Sequence, residues 1–241
     1  HKAVRLEIPK IKEFVEKAYP RILDGGRLFY IGAGTSGRLG ILDASEIPPT
    51  FGMPEGVVIG LIAGGDRAIR RAVESAEDSY ESAWEEMMKF NINKKDIVLG
   101  IAASGGTPYV IGGLIKAREN GLLTGAISCN PGSRVAEEAE ISIEPIVGPE
   151  FLTGSTRMKA GTAQKMILNM ISTSLMIKLG RVKGNRMVDM QLTNKKLVKR
   201  GTKMIMEELG LEKEQSLKLL LKHGSVRAAI QNYGKNGQNS H

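Results

Sequence analysis

Two acidic clusters in this chain follow stretches that look built to hold an anion. Asp43-Ala44-Ser45-Glu46 comes after Gly32-Ala33-Gly34-Thr35-Ser36-Gly37, and Glu74, Glu77 and Asp78 come after Ala63-Gly64-Gly65. The spacing of three between Glu74 and Glu77 predicts that both lie on one helical face. Single glutamates at such positions are ordinarily solvated charge, and their place behind candidate ligand loops is what marks these. Other acid-base groups are scarce: the histidines are His1, His223 and His241, outside the body of the chain. Cys129 has no histidine in that body to activate it, so it is expected to be a small buried residue. Carboxylates remain as the groups for proton transfer.

Hydroxyls supply the complementary chemistry. The run Gly32–Gly37 is a literal G-x-G-x-x-G between a strand and a helix expected to begin near Arg38. Its backbone N–H groups suit a phosphate at a positive helix end. A dinucleotide site also wants an acid about 20 residues on, and Asp66 comes later than that. Thr35 and Ser36 instead put two hydroxyls in the loop, and a second hydroxyl turn, Ser104-Gly105-Gly106-Thr107, follows the third strand. Two such loops could surround one phosphate with neutral donors, although both also read as ordinary caps and turns. A third stretch, Gly154-Ser155-Thr156-Arg157-Met158-Lys159, adds cations and equally suits a plain helix cap.

These loops need a frame. Apolar positions at helical spacing (Val4, Ile8, Ile11, Val15, Ile22) predict an opening helix over residues 3–23, ended by Asp24-Gly25-Gly26. Short apolar runs at 28–31, 57–62, 97–102, 124–128 and 141–147 alternate with helical stretches. That alternation predicts an α/β fold: a three-layer α-β-α sandwich around a mainly parallel five-stranded sheet. Ligands on such sheets bind beyond the carboxyl ends of the strands, where the loops above fall. Ile47-Pro48-Pro49 is expected to stop the helix carrying Glu46. An apolar helix over 160–179 is expected to close at Gly180. Three short helices then fill 192–231, broken at Gly210 and Gly224, before a frayed end at 234–241. The expected organisation is an α/β domain over 1–191, opening helix included, and a small helical domain over 192–241.

Composition narrows the class. The 241 residues carry 34 Lys/Arg against 26 Asp/Glu, net +8. Residues 1–180 hold 21 of each sign, so the whole excess lies in the last quarter. With five Phe, five Tyr and one Trp, there is little aromatic surface for stacking bases, and no nucleic-acid partner is expected. One cysteine excludes a disulfide framework and every multi-cysteine metal site. No apolar run approaches the ~18 residues of a membrane span, so a soluble, cytoplasmic protein without a membrane partner is expected.

Several blocks together are far more specific than one glycine loop. GRLFYIGAGTSGRLGILDASEIPPTFG, VIGLIAGGDRAIRRAVESAEDS, GIAASGGTPYVIGGL, ISCNPGS and GPEFLTGSTRMKAGTAQKMILNMISTSLMIKLG resemble the N-acetylmuramic acid 6-phosphate etherases of the sugar-isomerase (SIS) superfamily. The likeness runs from about Arg27 to Asp189, and glucokinase regulatory proteins share diverged versions of it. The resemblance implies cleavage of a D-lactyl ether to N-acetylglucosamine 6-phosphate and D-lactate, with no metal or other cofactor, by a homodimer. It places the proton donor on Glu46 and the second acidic catalytic residue on Glu77, both expected to be buried, with Glu74 and Asp78 nearby. Phosphate and sugar contacts are implied for Thr35, Ser36, Ser104, Gly105 and Thr107, with Ser155, Thr156 and Lys159 close to them. The family often carries arginine at the position of Gly106. The apolar helix after Ala160 is a candidate for the dimer contact. The alternative is a sugar-phosphate-sensing regulator without turnover.

Overall fold

The computed structural model describes residues 1–238. Its first elements are helices α1 (Lys2–Leu6) and α2 (Ile8–Leu23), strand β1 (Leu28–Gly32), helix α3 (Gly34–Phe51), strand β2 (Val58–Ile62) and helices α4 (Gly65–Arg70) and α5 (Ser82–Met88). Strand β3 (Ile97–Ile101), helix α6 (Pro108–Glu119), strand β4 (Leu123–Ile127), helix α7 (Arg134–Glu137) and strand β5 (Ile141–Ile143) complete the alternation. Helices α8 (Lys159–Lys178), α9 (Lys195–Leu209), α10 (Lys213–His223) and α11 (Val226–Gln238) follow.

The sheet is parallel throughout, in the order β2-β1-β3-β4-β5. Leu28 to Ile31 and Ile97 to Leu99 are completely enclosed, as strands covered on both faces must be. On one face Phe29, Ile31 and Val98 pack with Val110, Ile111 and Leu114 of α6 and Met87 of α5. Glycines let helices approach the other face closely: a Cβ on Gly40 of α3 would lie 3.0 Å from Tyr30 Cβ, and one on Gly125 would lie 2.4 Å from Phe14 of α2. The three expected layers are therefore present.

Local departures have local causes. The opening helix breaks at Glu7, because Pro9 in the first turn of α2 lacks the N–H that would continue α1. Pro48 and Pro49 do not end α3, which continues to Phe51 with both inside it. The stop is Gly52, at φ +63°, whose N–H bonds the Pro48 carbonyl. The last strand is shorter than the apolar run suggests, ending at Ile143.

The chain forms two compact units, His1–Ser45 with Gly56–Leu175, and Glu46–Glu55 with Met176–His241. The first contains the sheet. In the second, Ile205, Leu220, Val226 and Ala229 of the last three helices enclose Val188 and Met190. Gly210 and Gly224, at φ +66° and +75°, end α9 and α10 as expected. Asp189 holds Arg227 at 2.7 Å, and the Gln191 N–H bonds the Pro49 carbonyl. Helix α11 reaches Gln238 instead of stopping near 234; the rest of the expected frayed end, with His241, lies outside the described residues.

Candidate active site

The glycine loop turns β1 directly into α3. The helix starts at Gly34, four residues before Arg38, with Gly34 at φ +52°. Gly32 and Gly37 are close-packing residues: a Cβ on Gly37 would meet Ile62 Cγ1 at 2.6 Å and the Gly32 carbonyl at 2.7 Å. They seat the helix start on strands β1 and β2. Its first N–H groups consequently open beside a pocket of about 210 Å³ bounded by Ala33, Gly34, Arg38, Ala63, Glu74 and Glu77. The pocket lies beyond the carboxyl ends of β1 and β2, as expected for this sheet.

Glu74 and Glu77 meet there, but not on a helical face. Helix α4 ends at Arg70, and the chain turns through Ser75 at φ +59° into a single 3₁₀ turn over Ala76–Asp78. Periodicity was the wrong guide, because a left-handed residue between the two glutamates reverses the chain. Glu46 is on α3, one turn after Asp43. Glu46 and Glu77 are both exposed, contrary to the burial expected of them. Asp43 behaves differently. It is buried and accepts from the Tyr30 hydroxyl at 3.0 Å, the Ser172 hydroxyl at 3.1 Å and the Asn169 amide. Desolvation, then the Asp43 charge, holds the Tyr30 phenol well above its ordinary range. Asp43 fastens α3 to α8.

The same two helices meet at their first turns. Ser36 is buried, and its hydroxyl donates to Gln164 Oε1 at 3.0 Å. The Gln164 Nε2, fully enclosed, has no hydrogen-bond partner among the described residues. Thr35 is half-buried, and a Cβ on Gly161 would touch its Cγ2 at 3.5 Å. The first hydroxyl stretch therefore lies against the first turns of α8, which the third stretch leads into. The third has an occupant that the sequence did not suggest: the Glu150 carboxylate accepts from the N–H groups of Lys159 and Ala160, both at 3.0 Å. Those two backbone bonds, with the Lys159 charge, lower its pKa. Lys159 Nζ is directed at the Pro149 carbonyl, 2.7 Å away, while Ser155 is half-buried and Thr156 exposed.

In the second loop, Gly105 at φ +76° passes so near Ser133 that a Cβ there would overlap its side chain. Asn130 Nδ2 bonds the carbonyls of Ala103 and Ser104, and the Ser133 hydroxyl bonds Ser128 Oγ. Ser128, Asn130 and Ser133 thus shape a loop in which Ser104 and Gly106 are exposed, Thr107 is half-buried and Gly105 is buried. Thr107 begins α6 without capping it through its side chain. Gly106 has open space around its Cα. Cys129 is half-buried, and burial followed by the Glu150 charge pushes its thiol up to about 11, unsuited to a nucleophile at neutral pH. Among the described residues there is no group of three His, Cys, Asp or Glu that could hold a metal, and no helix long and apolar enough to cross a membrane.

Comparison with known proteins fixes the family. The chain is 65% identical over 227 residues to the N-acetylmuramic acid 6-phosphate etherase of Christiangramia forsetii, covering 94% of this chain and 83% of the relative. The family is settled by that match. This chain belongs to the N-acetylmuramic acid 6-phosphate etherases. The etherase of Bacteroides fragilis is likewise 65% identical, over 96% of this chain and 82% of its own, and that of Porphyromonas gingivalis is 66% identical over 94% and 83%. A family model for the glucokinase regulatory protein N-terminal SIS domain matches residues 10–118, and one for the SIS domain matches 69–174. Solved structures share the fold of this etherase-family chain at low identity. A putative phosphosugar isomerase from Bacteroides fragilis has TM-score 0.55 and 22% identity, covering 76% of this chain and 91% of that one. A phosphoheptose isomerase from Neisseria gonorrhoeae has TM-score 0.52 and 13% identity, covering 72% and 89%.

Proposed function

We propose that this protein removes the D-lactyl group of N-acetylmuramic acid 6-phosphate, working as a carbon–oxygen lyase whose overall outcome is hydrolysis. The observation that carries this reading is 65% identity to named etherases along nearly the whole chain. The pocket that unites the α3 start with Glu74 and Glu77 is consistent with it.

The chemistry asks for two carboxyl groups. In the ring-opened sugar, the aldehyde acidifies the C2 proton, so a carboxylate can remove it. The C3–O bond then breaks with its electron pair going to the lactyl oxygen, which takes a proton from an acid and leaves as lactate. Water adds across the resulting double bond, hydroxyl to C3 and proton to C2. The substrate and one water thus become N-acetylglucosamine 6-phosphate and D-lactate. In this reading Glu77 is the group acting at C2, Glu46 is the proton donor, and Glu74 and Asp78 tune or bind. Thr35, Ser36, Ser104, Gly105 and Thr107 hold the phosphate, with Ser155, Thr156 and Lys159 at the margin. A homodimer in the cytoplasm is the expected assembly, and a second copy is what would desolvate the exposed carboxylates. On α8, Ile167, Leu168, Ile171 and Leu175 are buried within the chain and Ile177 is exposed, so any contact this helix makes with a second copy would run through its exposed positions.

Incubation with N-acetylmuramic acid 6-phosphate in deuterated water tests the reading. Lactate release with deuterium at C2 of the product is expected. The match to the glucokinase regulatory protein domain supports the one competing reading, a sugar-phosphate sensor. Binding without lactate and without deuterium exchange would establish that alternative and remove the etherase assignment.

A further inference from the structure

The pocket that holds Glu74 and Glu77 contains a cation with no part in the chemistry above. Arg38 is the one cationic side chain among the described residues lining it. Its guanidinium is fixed: Nε bonds the Ile69 carbonyl at 2.8 Å and Nη2 bonds the Ala68 carbonyl at 2.7 Å, both in the last turns of α4. Those bonds neutralise the negative end of that helix. They also occupy one edge of the planar group, while Nη1 donates to no described residue. A half-buried guanidinium held in place with one nitrogen unspent is prepared for a carboxylate, since little side-chain entropy remains to be lost.

From this we infer that Arg38 recognises the lactyl carboxylate of the substrate and so distinguishes it from the product. The inference rests on the proposed function and on Glu77 acting at C2. Connectivity then decides which anion can reach Arg38. The lactyl carboxylate carbon is two bonds from the ether oxygen on C3, so it must lie close to any group that works at C2 and C3. The phosphate is at the other end of the open chain, five bonds from C3. At about 210 Å³ the pocket is smaller than the roughly 300 Å³ or more of a typical small-molecule site. It therefore takes one end of the substrate, and the end that belongs beside Glu77 carries the lactyl group. A singly charged carboxylate also suits a site with two glutamates better than a phosphate dianion, which both would repel more strongly.

The test compares ligands with and without the carboxylate. For Arg38→Gln, whose amide can still donate to one α4 carbonyl, KM for N-acetylmuramic acid 6-phosphate should rise roughly 10- to 100-fold, the loss of a charge-assisted contact. The inhibition constant of N-acetylglucosamine 6-phosphate, which has the same phosphate and no lactyl group, should move less than about threefold on the same scale. Arg38→Lys keeps the charge and should fall between. In the unaltered protein, the lactyl amide of the substrate should compete about as weakly as the substrate does against Arg38→Gln, a comparison that needs no folded variant. Equal weakening of both sugar phosphates by the variant would overturn the inference and assign Arg38 to the phosphate or to the fold. Undiminished affinity for the lactyl amide in the unaltered protein would also overturn it. Absence of lactate release by the unaltered protein would instead defeat the proposed function itself.

Discussion

Helices α3 and α8 begin side by side, both within glycine- and hydroxyl-rich stretches, yet their positive ends differ. At α8 the chain's own Glu150 carboxylate accepts from the first N–H groups. At α3 no side chain of the described residues accepts from the N–H groups of Gly34, Thr35 or Ser36, and that end opens on the pocket with Glu74, Glu77 and Arg38. A helix N-terminus is a weak anion site whichever anion fills it. Among the described residues the α8 end is satisfied by a carboxylate of the chain and the α3 end is not, and under the proposed function the α3 end is the one that serves the ligand. Similar spelling in the sequence therefore accompanies two different local structures.

The sharpest way to break that contrast is to neutralise one carboxylate at each end. Glu77→Gln should lower lactate release by about 10²- to 10⁴-fold, the usual contribution of an acid-base group, with the melting temperature unchanged because Glu77 is exposed and pairs with no cation among the described residues. Glu150→Gln should leave the rate within a few-fold while lowering the melting temperature. Steady-state rates and thermal unfolding on both variants check the pair. A loss of activity in Glu150→Gln as severe as that in Glu77→Gln would show that the α8 end also serves the ligand.

Backbone space gives a smaller effect of opposite sign at the two ends. Alanine at Gly37 would press its Cβ against Ile62 Cγ1 and the Gly32 carbonyl, a fixed backbone atom, and overpacking of this kind costs about 1–3 kcal/mol. Alanine at Gly161 would meet Thr35 Cγ2 at an ordinary 3.5 Å, so the gain in helix propensity, roughly 0.5–1 kcal/mol, should prevail. Chemical denaturation should show Gly37→Ala destabilised and Gly161→Ala stabilised. Equal destabilisation of both would mean that the α8 start is packed as tightly as the α3 start.

The sheet was legible because each strand is a short apolar run bounded by turn residues, as in Leu28 to Ile31 before Gly32. The loops were legible for the same reason. What escaped was chemistry decided by side chains distant in sequence. Gln164 meets Ser36 across 128 residues, and Arg38 meets carbonyls about 30 residues on. Glu150 reaches a cap nine residues away over a loop with no periodicity to announce it. Glu74 and Glu77 were correctly paired for an incorrect reason: a left-handed Ser75, not helical spacing, brings them to one pocket. The prolines at 48 and 49 misled because a helix can keep them in its last turn when a later glycine supplies the stop.

Acid offers the gentlest probe of the comparison, because it acts on Glu150 without a mutation. Hydrogen bonds from the Lys159 and Ala160 N–H groups hold its carboxyl below the ordinary value of 4.5. The native state therefore binds its proton more weakly than the unfolded chain does, and in this range stability rises with pH. The contribution is fully present above about pH 4.5 and is lost as the pH falls through the lowered native value. The difference in melting temperature between the unaltered protein and Glu150→Gln should accordingly be constant from neutrality down to about pH 5 and shrink below pH 4.5. A gap for Glu150→Gln that persists undiminished into acid would mean that the carboxyl's shape, and not its charge, closes the α8 terminus. The two helix ends would then differ in packing alone.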